Sequence, residues 1–498
     1  MKTNTLDFDA QALREKILDL AMRGKLVPQD PNDEPASVLL KKIKAEKEQL
    51  IKEKKIKKSK PLAPITDDEK PFDIPDSWEW VRLGDVGEII SGGTPKTSEK
   101  SYWENGNIPW ITPAIMSDTQ DDLIFNNKQI KFINKLGLEK SSAHLILKNS
   151  LVVSSRAPIG YVNIVPFDYT TNQGCKSVSL YSNTAKEFVY FALKNAVPDM
   201  IKRASGTTFK EISGTKFGQT IIPLPPLEEQ SRIAAKIAQL FALLRKVESS
   251  TQQYAKLQTL LKSKVLDLAM RGKLVEQDPH DEPASVLLKK IKAEKEQLIK
   301  EGKMKKSKPL PPITDDEKPF DIPNSWEWVR LGDVITILRG GSPRPIKKYL
   351  TNNSSGINWI KIGDSKPNSK YIESATEKII PEGLNKTREV HKGDFLLSNS
   401  MSFGRPYILK INGAVHDGWL VLSEYEQLFD KDYLYYLLSS SFINKQFVAL
   451  ATGSTVKNLN RERVANTIAV VPPLLEQKRI AVIIERLSPL LSGVEISL

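Results

Sequence analysis

Gly92-Gly93-Thr94-Pro95-Lys96 and Gly340-Gly341-Ser342-Pro343-Arg344 are one short loop written twice. Adjacent glycines let a backbone approach a surface such as a phosphate chain, and the Lys or Arg that follows adds positive charge. Arg339, just ahead of the second copy, adds another. The competing reading of each loop alone is a plain turn; the same plan in two otherwise divergent segments favours binding. A second pair is Ser154-Ser155-Arg156 against Ser398-Asn399-Ser400 with Arg405. Short polar side chains with one Arg can address base edges, because Arg matches the acceptors of guanine and Asn those of adenine. Strand-end capping with an internal ion pair is the alternative. Asn172-Gln173 and His416-Asp417 are weaker candidates of the same kind. Lys210 and Lys457 share a Gly-Ser/Thr-Thr-x-Lys pattern and either bind phosphate or lie at a domain junction.

Signatures of catalysis are missing. The chain has no Gly-x4-Gly-Lys-Ser/Thr phosphate loop, no Asn/Asp-Pro-Pro-Tyr/Phe tetrapeptide, no complete dinucleotide fingerprint and no His-Glu-x-x-His motif. Asp67-Asp68 and Asp121-Asp122 read as loop carboxylates. His144, His280, His391 and His416 are far apart, and the single Cys175 excludes an intramolecular disulfide, so no metal site is expected and the setting is a reducing cytoplasm. No apolar run is long enough to span a bilayer, and the first residues, MKTNTLDFDA, do not read as a signal peptide.

The elements that must position these loops form a tandem repeat. Leu18–Val86 and Leu266–Val334 match at an offset of 248 with six differences: Pro28/Glu276, Asn32/His280, Lys54/Gly302, Ile56/Met304, Ala63/Pro311 and Asp76/Asn324. ASGTTFKEI at 204–212 pairs with ATGSTVKNL at 451–459, and PPLEEQSRI at 225–233 with PPLLEQKRI at 472–480. Residues 87–203 and 335–450 have diverged. Strands are expected at 108–112 and within 150–165, a helix at 185–204, and equivalents at 357–364, 393–411 and 431–448. Residues 6–27 and 36–58 read as helices, the first ending at Arg23-Gly24, and the Pro-rich 59–75 as a semi-rigid tether. The formal charge of +13 resides in Lys41–Lys60 (net +7) and Lys289–Lys308 (net +6). A polyanionic partner or two solvated helix faces would each account for it.

Between Leu227 and Met270 apolar residues step by four and three: Ile233, Ile237, Leu240, Leu244, Val247, then Tyr254, Leu261, Val265 and Leu268, with Thr251 and Gln258 as polar interruptions. This is a heptad seam on a helix of roughly 65 Å. The two chain ends, Leu6 to Leu20 and Ile480 to Val494, together equal one more copy of it. The seam therefore predicts an intramolecular antiparallel pair rather than a homodimeric coiled coil. The fold expected is α+β: two mixed α/β globular domains separated by a long antiparallel helical coiled-coil pair, with a pseudo-twofold internal repeat. The boundaries are 1–75 (helical region and tether), 76–224 (first globular domain), 225–323 (central region with the long helix), 324–471 (second globular domain) and 472–498 (C-terminal helix).

LDLAMRGKLV at 18–27 and 266–275, the DEPASVLLKKIKAEKEQLIKE segments, SWEWVRLGDV, GGTP, SSRAPIG, TNQG at 171–174, PPLEEQ and SNSMSFGRP occur in an order that resembles the specificity subunit of type I restriction–modification systems over essentially the whole chain. The resemblance implies a non-catalytic subunit. Its two domains each read half of a bipartite double-stranded DNA target in the major groove. Its helices set the spacer and dock two modification (methyltransferase) subunits, optionally joined by two restriction subunits. S-adenosylmethionine, ATP and Mg then belong to the partners, and no cofactor to this chain. The rival readings are a coiled-coil scaffold with two protein-binding heads and a DNA-modifying enzyme with an unrecognised site. The resemblance carries no base contacts, so the loop residues named above stand on their own chemistry.

Overall fold

The computed structural model describes residues 9–58, 60–181, 184–206, 210–302, 309–366, 369–399, 404–450 and 459–491. Of the expected site residues, Ser400 and Lys457 fall outside this set, as do Leu6 and Val494 of the seam. The chain divides into two compact units, Met1–Thr251 and Gln252–Leu498.

In the first unit, α1 (Ala10–Met22) and α2 (Ala36–Lys52) precede the globular part. Helix α1 ends with its cap at Arg23, as the Arg23-Gly24 stop predicts, because Gly24, at φ +67°, reverses the chain; Lys25–Val27 lie beyond it. The Lys25 N–H then bonds the Leu20 carbonyl (2.8 Å) and the Gly24 N–H the Ala21 carbonyl (3.2 Å). A Cβ at Gly24 would run into the Pro75 ring. Gly24→Ala is therefore expected to cost about 1–2 kcal/mol in thermal or denaturant unfolding. Helix α2 likewise ends at Lys52, not Lys58, at a left-handed Lys54 (φ 58°); the other half has Gly302 at this position (φ 70°). Leu39 and Ile43 are fully buried, as the apolar spacing requires, each contributing ~1.5–3 kcal/mol.

Strand β1 (Glu79–Arg82) leads through the turn α3 (Leu83–Val86) into β2 (Gly87–Ser91). Then come β3 (Ile108–Ile111), α4 (Pro113–Met116), β4 (Lys131–Ile133) and α5 (Lys135–Glu139). A hairpin of β5 (Leu151–Ser155) and β6 (Ile159–Ile164) follows, then β7 (Thr170–Thr171), β8 (Cys175–Leu180), α6 (Lys186–Arg203), α7 (Gly214–Gly218) and β9 (Ile221–Leu224). The main sheet has the order β2-β8-β5-β6, all antiparallel; a smaller one has β4-β3-β7, and β1 pairs with β9. Helix α6 covers the sheet with Phe188, Val189 and Leu193 fully buried.

Helix α8 (Leu227–Met270) runs unbroken, as its uninterrupted sequence predicts, and carries the chain into the second unit. There α9 (Ala284–Lys300) repeats α2. One five-stranded sheet joins strands 336–339, 419–423, 395–398, 406–409 and 371–372; another joins 350–351, 377–379, 357–360, 413–415 and 388–390. The expected helix at 431–448 is two helices, Lys431–Ser439 and Ser441–Leu450. The architecture is thus α+β, with the same plan in both units.

In the first unit, α8 lies antiparallel to α1: Arg14 pairs with Glu248 (2.5 Å) and, further along, Asp33 with Arg232 (2.5 Å). In the second, its last turns share a core with Ile480 and Ile484 of the helix Leu474–Leu491, and Asp281 pairs with Arg479 (2.5 Å). Ile233 and Ile237 of the seam are fully buried, but Val247, Tyr254 and Leu261 are exposed among the described residues.

Two buried devices join helix, tether and domain, and they account for much of the repeated sequence. The Glu229 carboxylate accepts from the Trp78 indole N–H (2.9 Å) and Gln29 Nε2 (2.5 Å); burial raises its pKa and these bonds oppose the rise. Gln230 accepts from the Ala185 N–H at the start of α6 (3.0 Å). Glu476, Trp326, Gln277 and Gln477 repeat the arrangement. The second device is Arg82. Its guanidinium donates to the carbonyls of Ala63, Pro64 and Gln219 and to Glu69 (2.8 Å), so the Pro-rich tether is stapled to the domain. Arg330 does the same with Pro311, Pro312, Asn466 and Glu317. Among the described residues, no helix is long and apolar enough to cross a membrane.

Candidate nucleic-acid interface

At one end of the main sheet of the first unit, four loops are woven together. The Gly92 N–H bonds the Cys175 carbonyl (3.2 Å) and the Gly93 N–H that of Thr171 (2.8 Å). The Ser155 N–H bonds the Gly174 carbonyl (2.7 Å), and the Ile212 N–H bonds that of Ser155 (3.0 Å). The second unit has the same weave: Gly341 to Val415 (3.2 Å), Asn399 to Gly418 (3.0 Å) and Leu459 to Asn399 (3.0 Å). The Thr94 hydroxyl meets the Gln173 side chain, and Ser342 Oγ donates to Asp417 Oδ1 (2.7 Å). The loops carrying Asn172-Gln173 and His416-Asp417 thus pair with the Gly-Gly loops in both units.

This weave explains the glycines. A Cβ at Gly92 would strike the Asn172 carbonyl, and one at Gly340 the His416 carbonyl; Gly93 and Gly341 face the carbonyls of Ser142 and Lys386. The close approach that they permit is to neighbouring loops, so fold alone requires them. Ser154 is also inward. It is fully buried, its Oγ accepting from the N–H groups of Gly160 (3.1 Å) and Tyr161 (2.9 Å) and donating to the Pro158 carbonyl (2.9 Å). Ser398, equally buried, accepts from the Arg405 N–H (3.1 Å). Ser155 is buried against Lys176 Nζ (3.2 Å), and Asn399 donates to the Asp417 carbonyl (2.7 Å). The capping alternative therefore describes these four residues.

What remains on the outside is charged or amide. In the first unit Lys96, Gln173 and Lys210 are exposed, and Arg156 is partly exposed, 3.7 Å from Glu211. In the second, Arg339, Arg344 and Arg405 are exposed, with Arg344 4.0 Å from Asp417. The Ser342 hydrogen bond holds the Asp417 carboxyl below its ordinary pKa, while burial lowers that of His416. Sequence reasoning missed Lys176 and Glu211. Lys176 is buried in β8, donating to the Gln173 carbonyl (2.9 Å) and to Glu211 (3.3 Å), and so ties three of the loops together. Its only signal was a Lys inside a strand pattern; Glu211 had none.

The lysine-rich helices lie elsewhere. Lys47 Nζ of α2 donates to the Gly84 carbonyl (2.8 Å) in α3, which precedes β2, whereas Gly92 follows β2. The length of that strand, about 17 Å, separates them. Lys295 of α9 contacts the Asp333 carbonyl (2.6 Å) in the same way. The loop cluster carries its own cations. Behind it, Cys175 is buried and its thiol is pushed up to about 12, so it is expected to resist iodoacetamide at pH 8 until the chain unfolds; rapid native labelling would contradict the packing. Among the described residues, no three His, Cys, Asp or Glu side chains are grouped to hold a metal ion.

Paired units of one plan, each presenting a polar loop cluster from a shared scaffold, define a protein with two related recognition domains. The family model of the type I restriction modification DNA specificity domain matches residues 75–258 and 323–494, and the chain belongs to this family. It is 37% identical over 380 residues to the type I restriction enzyme EcoAI specificity subunit of Escherichia coli, covering 67% of this chain and 64% of that protein's length. It is 33% identical over 455 residues to the EcoEI specificity subunit of the same species, covering 79% and 73%. Among solved structures it resembles a chain of a type I R-M system (TM-score 0.56, 19% identity, 85% and 93% covered). It also resembles the HsdS subunit from Thermoanaerobacter tengcongensis (TM-score 0.51, 19% identity, 85% and 92% covered).

Proposed function

We propose that this chain is the DNA sequence-specificity subunit of a type I restriction–modification complex, itself non-catalytic and cytoplasmic. Each unit reads one half of a bipartite double-stranded target through the major groove. Two modification subunits dock on the duplicated helical scaffold, and two restriction subunits complete the restricting form. S-adenosylmethionine, ATP and Mg are handled by those partners. The observation that carries this reading is the pair of loop clusters: the same backbone weave holds different outward side chains, Lys96, Arg156, Gln173 and Lys210 in one and Arg339, Arg344, Arg405 and Asp417 in the other. A shared frame with unlike readers suits two unlike half-sites.

The test is methylation mapping of host DNA after expression with the cognate modification subunit. A bipartite adenine-methylated motif with two unlike halves and a fixed spacer is expected. No new methylation from an intact complex would leave the scaffold reading standing. In this proposal the continuous helix α8, paired within its own chain, sets the spacer. Inserting four residues after Val247 adds about one helical turn, 5.4 Å, and should lengthen the non-specific spacer by roughly one to two base pairs. Altered half-sites would sink this ruler.

A further inference from the structure

The two units differ at one aromatic slot. In the second unit, Phe442 stands edge-on to Phe320 (5.2 Å between centroids) and to Trp328 (5.7 Å). Phe320 and Trp328 belong to the repeated block, and their counterparts Phe72 and Trp80 form the same pair at 5.1 Å. Arg23 stacks on Phe72 (4.4 Å) as Arg271 does on Phe320 (4.5 Å), so the walls are alike. The plug is not. Counting back from Ala204 and Ala451 of the second repeated block, Phe442 corresponds to Asn195, with Ala196 beside it. Both line a cavity of about 730 Å³ together with Phe72, Trp80, Ile221 and Pro223, whereas the cavity beside Phe442 measures about 300 Å³.

We propose that the open slot of the first unit receives an aromatic side chain of a partner protein, and that this makes the first unit the tighter of two docking positions for two copies of that partner. The wall chemistry identifies the guest: Phe320 and Trp328 already hold a phenyl ring edge-to-face, a geometry that such rings favour. The rim carries both signs, with Asp199 and Arg203 paired at 2.7 Å, so the ring rather than a net charge supplies the anchor. The space exceeds one phenyl group and suits an aromatic anchor with its flanking backbone. Because the wall lies in the near-identical scaffold, its guest is a partner that both scaffolds meet; in the second unit Phe442 already fills the place.

This inference rests on the proposed docking of two modification subunits. The test titrates the full-length chain with the modification subunit by native mass spectrometry. The first copy should bind about tenfold more tightly than the second, beyond the statistical ratio for equal sites. Ala196→Phe, which fills the slot from within, should remove that difference, and Phe442→Ala should strengthen the second step. With 5-fluorotryptophan incorporated, the Trp80 resonance, assigned by its loss in Trp80→Phe, should move on addition of the first copy. The shift itself is read on the chain with its slot intact, and Trp80→Phe serves only the assignment. Equal steps in the wild type, or an asymmetry untouched by Ala196→Phe with Trp80 unmoved, would overturn the inference. Methylation at a bipartite motif by the same complex would show that the functional reading survives such a failure.

Discussion

Replacing Arg344 and Arg405 together by alanine is expected to weaken specific DNA binding by about two to three orders of magnitude, since each direct guanidinium contact is worth ~1–3 kcal/mol. Both side chains are exposed at the loop cluster of the second unit. Arg344 is 84% exposed, and its ion partner Asp417 lies 4.0 Å away, so little intramolecular binding holds it back. The loss should fall on one half-site. Methylation mapping of the variant should show relaxed preference in that half and an unchanged first half. Binding measured at two salt concentrations separates base contacts from phosphate contacts: a loss uniform over sequences with a shallower salt slope would assign these arginines to the backbone. Unchanged affinity and specificity would remove the loop cluster as the reading surface.

Arg82→Ala is expected to lower the stability of the first unit by about 3 kcal/mol, or roughly 6–12 °C in melting temperature. The Arg82 side chain is 6% exposed, and its loss strips three backbone carbonyls of their donor. Glu69, at 35% exposure, is partly hydrated and recovers some of the loss in water, which keeps the figure below that of a fully buried pair. Arg330→Ala should produce a loss of similar size, because Glu317 and the carbonyls of Pro311, Pro312 and Asn466 repeat the geometry. Differential scanning calorimetry checks both, and Arg82→Lys should recover little, since an ammonium cannot span these acceptors. A change below ~1 kcal/mol in both variants would mean that the tether is held by other contacts.

Much of this was legible in the sequence. A heptad pattern interrupted only by Thr251 and Gln258, with no Pro or Gly, was enough to mark Leu227–Met270 as one helix, because periodicity and propensity agree along it. Duplication revealed two units of one plan, and the family resemblance followed from the order of the repeated strings. The sequence also marked the loops in pairs. It did not say which side chains in them face outward. Ser154, Ser155, Ser398 and Asn399 have the chemistry of base readers, yet they are buried at strand ends, where backbone groups need partners of their own. The glycines of Gly92-Gly93 and Gly340-Gly341 read as room for a ligand, and tertiary packing gives that room to the carbonyls of neighbouring loops. Lys176 and Glu211 meet across 35 positions, and Glu229 and Trp78 across 151, so no local pattern announces them. Sequence alone determined the long helix, the duplication and the family, for these rest on periodicity and order along the chain. The tertiary structure decided which polar groups are consumed inside the fold and which remain to meet a partner, because burial is a property of contacts between residues distant in sequence.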